Sequence, residues 1–159
     1  GIAVDECGRT SLSDIFAAGD CAESFDIASG TNKVLALLPN AAFQGRAAGV
    51  NMAGGKAKLT NAVAFNSIGF FGTHVMTAGV YEGEMYCERT ERTYKALFTK
   101  DGLLKGFILI NLPERAGIYL KLLKERIPLE AVDFEALKTS PAWSAFSPEA
   151  RAKNFAREV

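Results

Sequence analysis

A carboxylate at the end of an apolar run is the feature of this chain that points most directly to chemistry. Residues 14–18 read Asp-Ile-Phe-Ala-Ala and are followed at once by Gly19 and Asp20. Continuous apolar character is typical of a strand that is buried on both faces of a parallel sheet. Because open α/β sheets bind ligands at the carboxyl ends of their strands, we predict that Gly19 allows close approach of a ligand and that Asp20 accepts hydrogen bonds from ligand hydroxyls. The alternative is that Asp20 only caps a turn or helix.

A predicted helix over residues 39–52 is the second element that this site requires. It begins with a proline, which suits a first helical turn because the missing N–H is unpaired there anyway. Glycines at 54–55 provide a stop. One stripe of the helix, Ala41, Gly45 and Gly49, carries almost no side chain, although glycine costs about 1 kcal/mol relative to alanine in a helix. This pattern indicates that a sheet layer, another helix or a ligand packs very close to the backbone.

The order and spacing of these residues resemble the second flavin-binding motif of the FAD-dependent pyridine nucleotide-disulfide oxidoreductases, of the NADH oxidase or NAD(P)H-dependent flavin reductase type. The family motif opens with Gly-Ile-x-Val-Asp, matched by residues 1–5. It continues with Thr-Ser, matched at 10–11, and with Ile-x-Ala-x-Gly-Asp, matched at 15–20. Residues 38–48 resemble the family helix that follows the motif. The remainder of the chain resembles, more weakly, the family's C-terminal dimerisation domain.

The resemblance implies a role for two segments in binding FAD. It implies that Gly19 and Asp20 contact the cofactor, with Asp20 hydrogen-bonded to a ribityl hydroxyl. It also implies that backbone amides near Asn40, Ala41 and Ala42 face the pyrimidine end of the isoalloxazine. A helix N-terminus offers unpaired N–H groups and partial positive charge, which favour the negative charge of reduced flavin. The parent protein would pass a hydride from NAD(P)H to FAD, and then electrons to a disulfide, dioxygen or a small redox protein.

Several parts of such an enzyme are missing from these 159 residues. There is no Gly-x-Gly-x-x-Gly, so neither dinucleotide phosphate site of the family is encoded, and there is no Cys-x-x-x-x-Cys pair. We expect His74 to be structural, Cys21 to be a small buried residue, and Cys87 to have no partner. No catalytic residue is assigned.

The missing motifs lead to a prediction about the parent protein. We expect a C-terminal part of a larger protein, which is inactive alone and is completed by N-terminal FAD- and NAD-binding domains of the same parent chain. A non-catalytic α+β dimerisation module is the alternative interpretation.

Composition excludes several other classes of protein. Eighteen Lys and Arg residues balance 18 Asp and Glu residues, and this lack of net charge argues against a nucleic-acid or anionic-membrane binder. Three cysteines without metal-ligand spacing argue against a disulfide framework or a zinc site and favour a reducing, cytoplasmic setting. No apolar run approaches the roughly 18 residues of a membrane helix. No signal peptide is recognisable.

A change of composition after residue 58 predicts a domain boundary near Thr60. Residues 1–59 are predicted to be the C-terminal end of an FAD-binding domain, an α/β fragment in which residues 24–37 form a loop. Residues 60–159 are predicted to be a C-terminal dimerisation or interaction domain of α+β class, with an antiparallel sheet and helices. Strands over 63–80 and 84–88 would join that sheet.

The predicted sheet is centred on a hairpin with the turn Asp101-Gly102, since both turn positions of this pair favour positive φ. Pro113 would open a helix that carries an apolar stripe, and Ser147 would cap a last helix. The stripe comprises Ala116, Leu120, Leu123 and Ile127. Trp143 and Phe146 have helix-like spacing and are predicted to be core or subunit contacts.

Apolar residues at 97–98 and 107–110 would lie on both faces of this hairpin. One face could pack on the helix after Pro113. The other would need a second cover, either the remaining helices of the same chain or a partner in a twofold homodimer.

Overall fold

The computed structural model describes residues 1–112 and 115–155, with side chains in these ranges up to residue 152. The chain divides into two compact units: unit 1 comprises residues 1–66 and 77–80, and unit 2 comprises residues 67–76 and those from 81 onward. The strands are β1 (Glu23–Asp26), β2 (Thr31–Val34), β3 (Phe65–Phe70), β4 (Thr73–Gly79), β5 (Glu84–Arg89), β6 (Tyr94–Lys100) and β7 (Leu103–Ile110). The helices are α1 (Leu38–Met52), α2 (Ala116–Lys124), α3 (Phe134–Thr139) and α4 (Pro148–Phe155), with 3₁₀ turns at Leu129–Ala131 and Trp143–Ala145.

Helix α1 in unit 1 begins and ends where the sequence predicts. Pro39 lies in its first turn. At the other end Gly54 adopts a φ of 85°. Its N–H donates to the carbonyl of Asn51 at 3.0 Å, and the N–H of Gly55 donates to the carbonyl of Val50 at 2.9 Å. These bonds satisfy carbonyls that the helix end would otherwise leave unpaired.

The buried strand predicted over residues 14–18 is wrong. This segment forms only a single antiparallel bridge, between Phe16 and Arg9. The Thr10 N–H donates to the carbonyl of Ile15 at 3.0 Å, so a short turn folds the chain back on itself. Ile15 is 49% exposed. A strand needs neighbouring strands on its edges, and the described residues supply only this one bridge.

The loop predicted over residues 24–37 is also wrong, because β1 and β2 form an antiparallel hairpin that ends with Asp26 opposite Thr31. The buried carboxylate of Asp26 fixes the turn. It accepts hydrogen bonds from the Ala28 N–H at 3.2 Å and from the Ser29 N–H at 3.3 Å. The Ser29 hydroxyl also donates to it at 2.7 Å. Side chain-to-backbone bonds of this kind build turns.

Unit 2 contains most of the five-stranded sheet, whose strand order is β3-β4-β7-β6-β5. Strands β5, β6 and β7 pair antiparallel. The predicted hairpin turn is confirmed, since Asp101 and Gly102 have φ values of 54° and 69°. The predicted strands over 63–80 and 84–88 are confirmed as β3, β4 and β5. Strands β3 and β4 each have residues in both units.

The β6–β7 hairpin buries one face against α2. The fully buried side chains on this face are Leu97, Phe107 and Leu109. The ring centroids of Phe107 and Tyr119 lie 5.8 Å apart. The opposite face carries Phe98, Ile108 and Ile110 and is only half-buried. The described helices therefore leave this second face partly exposed.

The predicted helix after the sheet is confirmed as α2, but its buried stripe differs. The buried residues are Ala116, Ile118, Tyr119, Leu122 and Leu123. Leu120 is half-buried, and Ile127 lies beyond the helix end. The stripe is rotated because the large ring of Tyr119 occupies the core position against Phe107. Pro113 lies outside the described residues.

The predicted cap at Ser147 is confirmed, whereas the helix-like spacing of Trp143 and Phe146 does not correspond to an α-helix. The Ser147 hydroxyl oxygen accepts a hydrogen bond from the Ala150 N–H at 3.2 Å and so caps α4. Phe146 is buried, and its ring centroid lies 5.0 Å from that of Trp143. These aromatic residues belong to a 3₁₀ turn and the residue after it, not to a longer helix.

Candidate functional site

The Gly19–Asp20 turn lies against the first two turns of α1. Gly19 has a φ of 85°, a conformation that residues with a side chain rarely adopt. A Cβ built on Gly19 would lie 3.8 Å from the Cβ of Ala41. The Gly19 N–H donates to Oε1 of Gln44 at 2.7 Å. Asp20 itself is exposed, so its carboxylate is open to a ligand.

Amide side chains on the buried face of α1 hold three other segments of unit 1. Nδ2 of Asn40 donates to the carbonyl of Val63 at 3.0 Å. Nδ2 of Asn51 donates to the carbonyls of Cys7 and Ala57, each at 2.8 Å, and its Oδ1 accepts from the Ala57 N–H at 2.8 Å. Sequence reasoning missed this face. The available signal was amides at helical spacing along a helix of otherwise small residues.

The N-terminus of α1 carries neither a capping side chain nor an acid. Leu37 occupies the N-cap position without a side-chain hydrogen bond, and the first turn contains no acidic residue. The Ala41 N–H donates to the Leu37 carbonyl at 3.0 Å. The backbone N–H of Asn40 lies one residue before this bond, in the first turn, where N–H groups have no acceptor within the helix. Ala41 is half-buried and Ala42 is exposed. The positive end of the helix is therefore free to attract an electron-rich group.

The close packing predicted on the stripe of Ala41, Gly45 and Gly49 is found only at Ala41. A Cβ built on Gly45 or Gly49 meets no atom within 4 Å among the described residues. Both glycines are exposed. No described residue packs against these two glycines, so the close approach of a sheet layer, a helix or a ligand stays a prediction there.

Two cysteines differ from their predicted surroundings. Cys21 is exposed and not buried, since the turn at Gly19 carries it to the surface, where its Sγ contacts the Ala18 carbonyl at 3.4 Å. Cys87 lies near Tyr94 of the neighbouring strand, and its interaction with the hydroxyl raises the pKa of Tyr94. Neither cysteine is buried.

His74 lies on β4 in unit 2 and is half-buried. Its Nε2 lies 3.0 Å from the Ser67 hydroxyl, and its backbone N–H donates to Oδ1 of Asn111 at 2.8 Å. Asn111 in turn donates from Nδ2 to the Arg92 carbonyl at 2.7 Å. The contact with the Ser67 hydroxyl does not by itself show what His74 does. The structural role expected for His74 therefore stays a prediction.

A buried lysine organises a polar cluster in unit 2 that sequence reasoning missed. Nζ of Lys95 contacts Oε2 of Glu88 at 2.8 Å and the carbonyls of Lys138 and Thr139 at 2.5 and 3.2 Å. The hydrogen bonds from Lys95 and Tyr86 hold the pKa of Glu88 below its usual value. The hydrogen bond to Glu88 raises the pKa of Tyr86 to about 12. Lys95 thereby satisfies two carbonyls at the carboxyl end of α3.

The part of the chain that the structure describes contains no group of three or more histidine, cysteine or acidic residues placed to hold a metal ion. It also contains no helix that is long and apolar enough to cross a membrane.

No protein-family model matches the chain. A curated relative, the epsilon subunit of an NADH-dependent phenylglyoxylate dehydrogenase from Aromatoleum evansii, is 36% identical over 138 residues. The match covers 81% of this chain and 32% of the relative. The chain thus spans about a third of the length of the curated relative it matches.

Solved structures give the same partial coverage. An FAD-dependent pyridine nucleotide-disulfide oxidoreductase from Desulfovibrio vulgaris matches with a TM-score of 0.72 at 23% identity, over 87% of this chain and 39% of that one. A ferredoxin reductase from Rhodopseudomonas palustris matches with a TM-score of 0.71 at 25% identity, over 89% of this chain and 37% of that one. An NADH:rubredoxin oxidoreductase from Clostridium acetobutylicum matches with a TM-score of 0.59 at 24% identity, over 79% and 32%. The predicted resemblance is confirmed: the chain has the fold of the C-terminal part of the FAD-dependent pyridine nucleotide-disulfide oxidoreductases, the family that its first residues resemble.

Proposed function

We propose that this chain is the C-terminal part of a flavin-dependent NAD(P)H oxidoreductase and that unit 1 contributes one wall of its FAD site. The observation that carries the proposal is the Gly19–Asp20 turn, which lies against the start of α1 in a chain of this fold. The turn supplies the carboxylate of Asp20, and α1 supplies the positive end of its helix dipole, both within unit 1.

The residues present fit a bound FAD. Asp20 is exposed and would accept a hydrogen bond from a ribityl hydroxyl, while Gly19 would leave room for close approach. The start of α1, at Asn40, Ala41 and Ala42, would hold the pyrimidine end of the isoalloxazine, since an uncapped helix N-terminus without acids favours negative charge. The bound flavin supplies hydride acceptance from NAD(P)H and onward electron transfer.

The two parts of the chain are proposed to serve different purposes. Residues 1–59 complete the FAD-binding domain, together with N-terminal FAD- and NAD-binding domains of the same parent. Residues from Thr60 onward form an interaction domain. These 159 residues contain no Gly-x-Gly-x-x-Gly phosphate motif, so we expect them to be inactive alone.

A homodimer formed through unit 2 is part of the proposal. The half-buried second face of the β6–β7 hairpin supports it. So do the exposed apolar side chains near the turn between β3 and β4: Ile68 is 54% exposed, Phe70 68% and Phe71 93%. Monomeric proteins rarely leave large apolar patches in water.

The test of the proposed site is the substitution Asp20→Ala in the natural protein that contains these residues. The change removes a charge-assisted hydrogen bond to the flavin, which contributes about 1.5–3 kcal/mol. The expected result is an FAD dissociation constant raised about 10- to 150-fold. The measurement is a titration of the apoprotein with FAD, followed by flavin fluorescence.

The matched control is Asp14→Asn, which removes an exposed carboxylate from the same segment. Asparagine is chosen because Asp14 has a φ of 64°, a conformation that asparagine tolerates. The control should bind FAD as the unchanged protein does. Unchanged FAD affinity in a folded Asp20→Ala protein would refute the role proposed for Asp20.

A further inference from the structure

A glutamine on the buried face of α1 is only half satisfied. Gln44 is 6% exposed. Its Oε1 accepts a hydrogen bond from the Gly19 N–H at 2.7 Å. Its Nε2 is buried and has no hydrogen-bond partner among the described residues. Buried polar atoms are nearly always hydrogen-bonded in folded proteins, so this amide requires an explanation.

The orientation of the Gln44 amide is fixed by its neighbour. The backbone N–H of Gly19 is a donor, so only the carbonyl oxygen of the side chain can face it. Flipping the amide would place two donors against each other and leave Oε1 without this bond. The amide orientation that lets Oε1 accept from the Gly19 N–H is therefore the one that leaves Nε2 without a partner.

Gln44 lines a cavity of about 190 Å³ within unit 1. Its other lining residues include Gly8, Ala17, Ser24 and Asn32. The acceptor side of the amide is thus used in the bond from the Gly19 N–H, while Nε2 has no partner among the described residues.

The turn that Gln44 holds needs a restraint. Gly19 has a φ of 85°, and glycine visits many other conformations at little cost. Asp20 follows directly, so any movement at Gly19 displaces its carboxylate. The bond to Gln44 spans 25 residues of sequence and ties this turn to a 15-residue helix. A ligand that binds a turn already held in place avoids the entropic cost of ordering it.

We propose that Gln44 is the positioning residue of the Gly19–Asp20 turn. By accepting the Gly19 N–H it holds the Asp20 carboxylate in the place from which it meets a flavin hydroxyl. Gln44 acts through Asp20 and does not itself contact the reacting atoms. This inference rests on the proposed function and adds to it the residue that preorganises the site.

The test is a double-mutant cycle for FAD affinity in the natural protein, with Gln44→Leu and Asp20→Ala. Gln44→Leu removes the acceptor and is expected to weaken FAD binding about 3- to 10-fold. In the Asp20→Ala background the same change should cost less than about twofold, because the residue that it positions is gone. A merely structural role predicts the same loss in both backgrounds.

Two further variants sharpen the test. Gln44→Glu keeps an oxygen facing the Gly19 N–H and should restore most of the affinity that Gln44→Leu loses. Asn51→Leu removes a buried amide from the same face of α1 but holds Cys7 and Ala57, not Gly19. Any loss of FAD affinity that it causes should be the same with and without Asp20. If Gln44→Leu does not fold, Gln44→Asn, whose shorter side chain cannot reach Gly19, takes its place in the cycle.

The outcomes separate this inference from the proposed function. A loss that depends on Asp20 and is restored by Gln44→Glu supports the inference. An unchanged FAD affinity in the Gln44 variant, or an equal loss with and without Asp20, overturns the inference. If Asp20→Ala still weakens FAD binding in that case, the proposed function stands. An Asp20→Ala protein that binds FAD normally overturns this inference and the role proposed for Asp20, while a natural protein that binds no FAD overturns the proposed function itself.

Discussion

Phe107→Ala is expected to lower the free energy of unfolding of unit 2 by about 3–5 kcal/mol, the usual cost of deleting a buried phenyl ring. Phe107 is fully buried, pairs with Leu97 across the hairpin and lies 5.8 Å from the ring of Tyr119. The change removes apolar contacts from both neighbours and leaves a cavity between sheet and helix. The loss is large against total stabilities of about 5–15 kcal/mol.

The measurement is urea unfolding of the 159-residue chain, followed by tryptophan fluorescence. The chain has one tryptophan, Trp143, which lies in unit 2 and reports its unfolding. With a urea slope of about 2 kcal/mol per molar, the midpoint should fall by about 2 M. Glu130→Ala is the control, since Glu130 is an exposed residue of unit 2 and its loss should change stability by less than about 0.5 kcal/mol. Equal midpoints for the two variants would contradict this account of the core.

Asp26→Ala is expected to have the second largest effect, a loss of about 2–4 kcal/mol from the stability of the β1–β2 hairpin. Its carboxylate is fully buried and bonds the Ala28 and Ser29 amides and the Ser29 hydroxyl. It also forms an ion pair with Nζ of Lys33 at 2.7 Å. Removing it leaves buried donors without an acceptor, which costs more than the loss of a surface ion pair.

Amide hydrogen exchange over residues 23–34 measures this effect, because the tryptophan does not report on unit 1. The expected loss corresponds to exchange that is about 30- to 1,000-fold faster. Asn32→Ala is the control. Asn32 lies on β2 of the same hairpin and is exposed, so its loss should change exchange little. Unchanged exchange in Asp26→Ala would show that the carboxylate does not hold this turn.

Asp26 also predicts how the hairpin responds to acid. Burial alone would raise the pKa of Asp26, but the hydrogen bonds from Lys33, Ser29 and Ala28 and the charge of Lys33 outweigh it and lower the pKa. A lowered pKa in the folded state gives stability that is fully present above the unfolded value of about 3.9 and is lost as pH falls through the folded value. The protection of amides 23–34, which is the slowing of exchange relative to an unfolded chain at the same pH, should therefore fall in strong acid, and Asp26→Asn should weaken that pH dependence.

The elements that the sequence predicted correctly are those that local chemistry determines. The turn at 101–102 forms because both of its residues accept positive φ. Helix α1 is bounded by a proline and by glycines that satisfy its last carbonyls. The segment 14–18 was predicted wrongly because an apolar run becomes a strand only beside other strands, and the described neighbour of Phe16 is Arg9 alone.

The candidate site was predictable only in part, for a related reason. The motif identifies Gly19 and Asp20, and helix geometry identifies the start of α1. The side chains that join these segments were missed, since Gln44 bonds a residue 25 positions away and Asn51 bonds Cys7, 44 positions away. Such partners are set by tertiary structure, and no periodicity within one helix predicts them.

The central claim, that this chain completes an FAD site, is tested most directly by the flavin content of the natural protein that contains it. The protein would be purified, its visible absorbance recorded, and its cofactor released by denaturation and identified. The account predicts one FAD per chain and loss of the flavin absorbance when NADH or NADPH is added without oxygen. A folded protein that carries no flavin, and takes up none from a saturating FAD solution, would contradict it.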